Sequence, residues 1–212
     1  MKTEDKILQY LIDTYNPYSI IIYGSFSNGT NNENSDFDAL IITDNINKHD
    51  TNIIDGTVLD VFIYPVELFE GNYDPKDFVQ VYNGKIILDN KQIGQKLIDD
   101  VRYYVDNRTR KTTSEIEDEL KWCKKMLNRI GHQDAEGYYR WHLLLVESLE
   151  IYCDINGLYY FGSKNVLNTM KSEDKQSYEI YFCTLRELDR SHLTEWIRNL
   201  SNLYSKKYKK RI

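Results

Sequence analysis

Proline is scarce in this chain of 212 residues, with three, and glycine is modest at ten. Those counts exclude a collagen-like or low-complexity chain. Cysteine is equally thin. Cys123, Cys153 and Cys183 stand thirty residues apart and no Cys-x-x-Cys pair occurs, so zinc ligation has no sequence support. An odd, unpaired set of thiols suits a reducing compartment, and a cytoplasmic location is expected. There is no apolar run of about eighteen residues, so neither a membrane span nor a membrane partner is expected. The opening stretch MKTEDKILQYLIDTYN carries acid where a secretory leader needs a positive flank and an apolar core. Positive charge is in deficit as well: 27 Lys and Arg against 33 Asp and Glu give a formal net charge of −6. Coating a nucleic acid requires Lys and Arg to neutralise phosphates, so a nucleic-acid partner is not expected.

What is present is a core-forming chain, 41% hydrophobic and with 18 Tyr, whose rings bury an apolar body and keep a polar tip. Residues 3–15 place Ile7, Leu8, Leu11, Ile12 and Tyr15 on one helical face, and Asn16-Pro17 stops that helix. Residues 19–23 and 37–43 read as buried strands. Residues 52–64 read as a hairpin around Asp55-Gly56, Pro65 opens a short helix, and residues 84–89 read as a further strand. After residue 90 the pattern is helical almost throughout. Ser114 and Glu117 have capping-box spacing ahead of a stripe of Ile116, Leu120, Cys123, Leu127 and Ile130. Tyr138, Trp141, Leu145, Leu149 and Tyr152 form a second stripe, and Leu193, Trp196, Ile197, Leu200 and Leu203 a third. The polar stretch near residues 105–113 separates an α/β half, 1–108, from a helical half, 109–212. The expected fold class is α+β, a small mixed sheet followed by an all-helical domain.

The chemistry concentrates between residues 20 and 60. An apolar run ends in Gly24-Ser25, a loop of Asn, Gly, Ser and Thr follows, and Asp36-Phe37-Asp38 leads into the next apolar run. Strand side chains alternate, so Asp36 and Asp38 share a face and Phe37 points the other way. Two carboxylates on one face repel and lose hydration unless a cation sits with them. A hard divalent ion, Mg²⁺, meets that need with oxygen ligands. Asp60 interrupts another apolar strand, where a lone carboxylate is costly unless paired or metal-bound. With that strand beside 37–43, Asp60 joins the first two, and three carboxylates can hold two Mg²⁺ ions that act on a transferred phosphoryl or nucleotidyl group. Gly24 lets the backbone approach a phosphate, and Ser25 adds a donor.

Strand, Gly-Ser, spacer, Asp-x-Asp and a later strand carboxylate together resemble the nucleotidyltransferase superfamily with the DNA polymerase β-like fold. The residues are Gly24, Ser25, Asp36, Asp38 and Asp60, and the motif covers roughly residues 19–63. A catalytic half followed by a helical half is similar to the aminoglycoside, kanamycin-type branch. The resemblance implies transfer of a nucleoside monophosphate from an NTP, ATP being the expected donor, to a hydroxyl of a small molecule of the aminoglycoside kind. It implies that Asp36 and Asp38 bind both metals, that Asp60 helps activate the acceptor oxygen, and that Gly24 and Ser25 hold the β and γ phosphates. It also implies a homodimer. Nucleotidylation of a protein or RNA partner, as in antitoxin-type relatives, and a non-catalytic nucleotide-binding role stay open. Many members carry Arg where this chain has Asn28, which donates a hydrogen bond but brings no charge. Lys85 or Lys164 could supply that charge. Kanamycin-type enzymes add a base from the helical half, for which Glu119 is preferred to Glu147; the ordinary reading of either is a helix-surface carboxylate. His132 and His142 are scattered, and the basic tail 205–212 suits a solvated helix end.

Overall fold

The computed structural model describes residues 2–131 and 134–209. His132 and the last three residues of the basic tail lie outside them. The chain forms two compact units, Met1–Arg108 and Thr109–Ile212.

In the first unit α1 (Thr3–Tyr15) leads to β1 (Ser19–Ile22), α2 (Gly24–Asn28), β2 (Phe37–Thr43), β3 (Lys48–Asp50), β4 (Ile53–Ile54) and β5 (Thr57–Pro65). Then come α3 (Val66–Glu70), a 3₁₀ segment (Pro75–Val81), β6 (Lys85–Asp89) and α4 (Ile93–Asn107). The sheet order is β3-β5-β2-β1-β6, with β4 folded back on β5. Asp55 and Gly56 turn that hairpin with φ of +52° and +84°, the left-handed pair a two-residue turn requires. β2 and β5 run parallel, and every other pairing is antiparallel. Both faces of the sheet are covered, which is why β1 and β2 read as near-continuous apolar runs. Ile7, Leu11 and Tyr15 of α1 pack on one face with Ile20, Ile22, Phe37, Ala39, Ile41, Leu59, Val61 and Ile63. Ile21, Tyr23, Leu40 and Ile42 face the other way, against Phe69, Phe78, Leu97 and Val101. Alternation therefore puts Asp38 and Asp60 on the second face.

β3 is a strand that the sequence pattern did not reveal. Lys48, His49 and Asp50 offer no apolar alternation, and tertiary contacts pin the strand instead. Asp50 is 1% exposed. Its Oδ2 accepts from the Tyr15 hydroxyl at 2.6 Å and the Tyr10 hydroxyl at 3.0 Å, and its Oδ1 from the Asn52 N–H at 3.0 Å. These bonds hold the Asp50 carboxyl below its ordinary value, against the upward push of burial, and Lys48 adds to the pull.

The second unit is helical: α5 (Thr113–Arg129), α6 (Ala135–Asn156), α7 (Ser163–Glu173), α8 (Lys175–Arg186) and α9 (Arg190–Tyr204), ending in a π turn (Ser205–Lys209). The capping box of α5 is Thr112 with Glu115, not Ser114 with Glu117. The same four-residue spacing occurs twice in TTSEIEDE, and the earlier copy wins because Glu117 is engaged by the Tyr204 hydroxyl at 3.1 Å. Tyr138 leaves its expected core stripe and is 50% exposed. α6 is central, burying Leu144, Ile151, Cys153 and Ile155 as well as Trp141, Leu145, Leu149 and Tyr152, so no single stripe describes it. Cys123 and Cys153 are buried and form no disulfide, and burial pushes the Cys123 thiol up to about 12. Among the described residues no helix is long and apolar enough to cross a membrane.

Hydrogen bonds to a buried charge are worth about 1.5–3 kcal/mol each. Asp50→Asn should therefore cost about 2 kcal/mol of stability at pH 7. The Asp50 carboxyl is lower folded than its ordinary 3.8, so its contribution is complete above that pH and lost as pH falls through the folded value. Urea unfolding at neutral pH and at about pH 3 should show the deficit of the variant narrowing on the acid side. An unchanged deficit would refute the assignment.

Candidate active site

Gly24 turns the chain out of β1 with φ +66° and opens α2, a single turn that the sequence pattern read as loop. Two bonds hold that turn: the Ser27 hydroxyl donates to the Gly24 carbonyl at 2.9 Å, and the N–H of Gly29, in the left-handed conformation, donates to the Ser25 carbonyl. A side chain at Gly24 has no room. A Cβ there would stand 2.2 Å from Asp38 Oδ2 and 2.9 Å from its Cγ. The Asp38 carboxylate thus occupies the space beside the glycine backbone. The Tyr23 N–H donates to the Asp38 carbonyl at 3.1 Å and ties the two strands together at this point.

The parallel ladder sets Asp38 directly opposite Asp60, with Phe37 opposite Leu59 and Ala39 opposite Val61. Partners in register share a face, so the two carboxylates stand side by side. Tyr23 registers their field. Burial raises its hydroxyl first, and the charges of Asp60 and then Asp38 push it further up.

Asp36 is placed differently. It precedes β2, exposed, and the ladder that fixes Asp38 and Asp60 does not hold it. Among the described residues no three His, Cys, Asp or Glu side chains come together closely enough to hold a metal ion. Two of the three expected carboxylates are gathered, and the third stands at the end of the loop.

Ser25 is 6% exposed, and its carbonyl accepts from the Thr30 N–H at 3.0 Å. Asn28 closes the same turn: its Oδ1 accepts from the Thr30 N–H at 3.1 Å and the Thr30 hydroxyl at 2.6 Å. At the position where an Arg was expected, the side chain is thus committed to shaping the loop. Lys85 is the exposed first residue of β6, backbone partner of Ile22.

Asp60 has a partner that no motif indicated. His49 Nε2 lies 2.6 Å from Asp60 Oδ1, and the side chains are 44% and 42% exposed. A carboxylate only accepts, so Nε2 carries the hydrogen. The pairing answers how an apolar strand carries Asp60: its carboxylate is bonded and partly hydrated. The usable signal was a His three residues before a hairpin whose second strand holds an Asp, and it is weak without a template.

Glu119 belongs to the second unit. Lys111 Nζ bonds its Oε1 and reaches Asp154 Oδ2 at 2.8 Å. Both acids hold the ammonium well above its ordinary value despite burial. Glu119 itself is raised, burial outweighing the pull of Lys111, and its Oε2 is buried without a hydrogen-bond partner. Lys164 in α7 and Glu147 in α6 are exposed helix residues.

Residues 4–126 match the nucleotidyltransferase domain family, more than half of the chain. The chain belongs to that family and is a nucleotidyltransferase; such a domain works on a nucleoside triphosphate with a divalent cation. No curated protein matches the chain. Among solved structures, a nucleotidyltransferase-like protein from Exiguobacterium sibiricum 255-15 is 14% identical, covering 97% of this chain and 74% of that chain at a TM-score of 0.39. A toxin–antitoxin structure with AMP-PNP is 18% identical, covering 57% of this chain and 97% of that chain at a TM-score of 0.33. At such scores neither bears on the site.

Gly24→Ala should add about 1–2 kcal/mol of backbone strain and drive the Asp38 carboxylate from its place. The protein is expected to fold, as read by circular dichroism, and to lose nucleotide binding in the presence of Mg²⁺. Undiminished binding would show that the Asp38 position is dispensable.

Proposed function

We propose that this nucleotidyltransferase moves a nucleoside monophosphate from a Mg²⁺-bound NTP, ATP as the expected donor, to a hydroxyl of a small acceptor. One observation carries the reading: Asp38 and Asp60 stand in register on adjacent parallel strands, with the Asp38 carboxylate in the space that Gly24 leaves. Two adjacent carboxylates beside a glycine backbone that carries no Cβ fit a hard cation carrying phosphates. Asp38 and Asp60 would hold it, with Asp36 joining from the loop. When bound, the cation would neutralise phosphate charge and acidify the attacking hydroxyl.

The remaining steps fall to the chain's own residues. Gly24 and Ser25 bind the β and γ phosphates through backbone N–H groups and the serine hydroxyl. The acceptor oxygen attacks the α phosphorus, forming the new P–O bond. The bond from that phosphorus to the α–β bridging oxygen breaks, and pyrophosphate leaves with the electron pair. Asp60 takes the hydroxyl proton. No base from the helical unit is needed, and Glu119, tied to Lys111, serves as a structural ion-pair partner. Residues 1–108 are the catalytic domain in this reading, and residues 109–212 a separate helical domain. An acceptor bearing ammonium groups suits a chain of net charge −6.

The test is calorimetric titration with ATP, GTP, CTP and UTP in excess Mg²⁺, wild type beside Asp38→Asn. Wild type should bind at least one of them, and the variant at least about tenfold more weakly, since losing even a group that only orients a metal ligand typically costs about 10- to 100-fold. Equal binding by both proteins would remove Asp38 from the site and end the proposal.

A further inference from the structure

The edge strand β3 presents opposite faces of two neighbouring residues to different surroundings. Asp50 points into the core and is bonded by Tyr15, Tyr10 and the Asn52 N–H. His49, its neighbour, points to the face that carries Asp38 and Asp60. The antiparallel ladder sets His49 opposite Phe62, two residues along β5 from Asp60. The imidazole lies flat on the Phe62 ring, centroids 4.3 Å apart and planes within 7°. Phe62 in turn stacks on Tyr64 at 6.5 Å and 13°. The ring's plane and the strand beneath it are thereby both fixed, and the Nε2–H is directed at Asp60 Oδ1 at 2.6 Å.

We infer that His49 is a positioning residue for Asp60: its Nε2–H fixes Oδ1 and so reserves Oδ2 for a metal ion or an acceptor hydroxyl. The inference rests on the function proposed above. Stability does not explain the arrangement, since even a fully charged pair this exposed is worth at most about 1 kcal/mol. A carboxylate with one oxygen held is orientationally defined, whereas an unheld one rotates about its last bond and presents either oxygen. Groups that hydrogen-bond a ligating carboxylate orient it, and their loss typically costs about 10- to 100-fold in metal affinity or activity.

The test uses the full chain and Mn²⁺ with ATP as the probe, binding followed by electron paramagnetic resonance of the free ion. His49→Ala should weaken Mn²⁺–ATP binding by about 10- to 100-fold. His49→Gln, which keeps an N–H donor at similar reach, should recover most of that loss. Wild-type affinity in His49→Ala overturns the inference, and so does His49→Gln binding as weakly as His49→Ala. Asp38→Asn in the same series separates the two levels. If Asp38→Asn binds like wild type, the proposed site itself fails; if Asp38→Asn loses the ion and His49→Ala does not, only the role of His49 fails.

Discussion

The space beside Gly24 is the constraint from which the site follows. A carboxylate at Asp38 can stand there only because the glycine brings no Cβ and accepts a φ of +66°. The parallel ladder then places Asp60 at its side, and it does so because Leu59, Val61 and Ile63 bury one face of β5 in the same core as Phe37, Ala39 and Ile41 of β2. A slip of one residue would exchange Asp60 for Leu59 or Val61 and turn the carboxylate into the α1 core. The apolar residues that flank the acids are thus what holds them: Phe37, Ala39, Leu59 and Val61, each at most 1% exposed, fix the register.

The edge of the sheet depends on a different force. β3 is short and polar, and the bonds of Asp50 to two tyrosine hydroxyls and one backbone N–H supply what apolar alternation would supply elsewhere. Because neighbours on a strand point to opposite faces, anchoring Asp50 below the sheet sets His49 above it. A buried charge in the core and a partner for Asp60 at the surface are two ends of one small device. In the helical unit Lys111 plays a comparable part, drawing Glu119 and Asp154 together across α5 and α6.

Much of this was legible from residue patterns. The first helix, the strands at 19–23, 37–43 and 84–89 and the tight turn at Asp55-Gly56 follow from periodicity and turn chemistry; the adjacency of the strands bearing Asp38 and Asp60 was a condition of the reading, and the parallel ladder meets it. The helical character of the second half follows from periodicity as well. Three things were hidden, for distinct reasons. α2 depends on the Ser27 hydroxyl and a left-handed Gly29, and a short polar turn carries no periodic signal. The box on α5 had two competing registers, decided by Tyr204 from a distant helix. β3, and His49 with it, rests on partners 35 and 40 residues away in sequence, Tyr15 and Tyr10. The gathering of Asp36 with the other two acids was expected from alternation, yet Asp36 lies outside the strand whose ladder would enforce it.

The central claim is that Asp38 and Asp60 form the metal-binding edge of a nucleotide site. A crystal grown with Mn²⁺ and a non-hydrolysable ATP analogue, its metal located by anomalous scattering, tests this most directly. Manganese bound by Asp38 and Asp60, with the phosphates against Gly24 and Ser25, is the expected result. Manganese and nucleotide bound elsewhere on the chain, with those two carboxylates unligated, would contradict it.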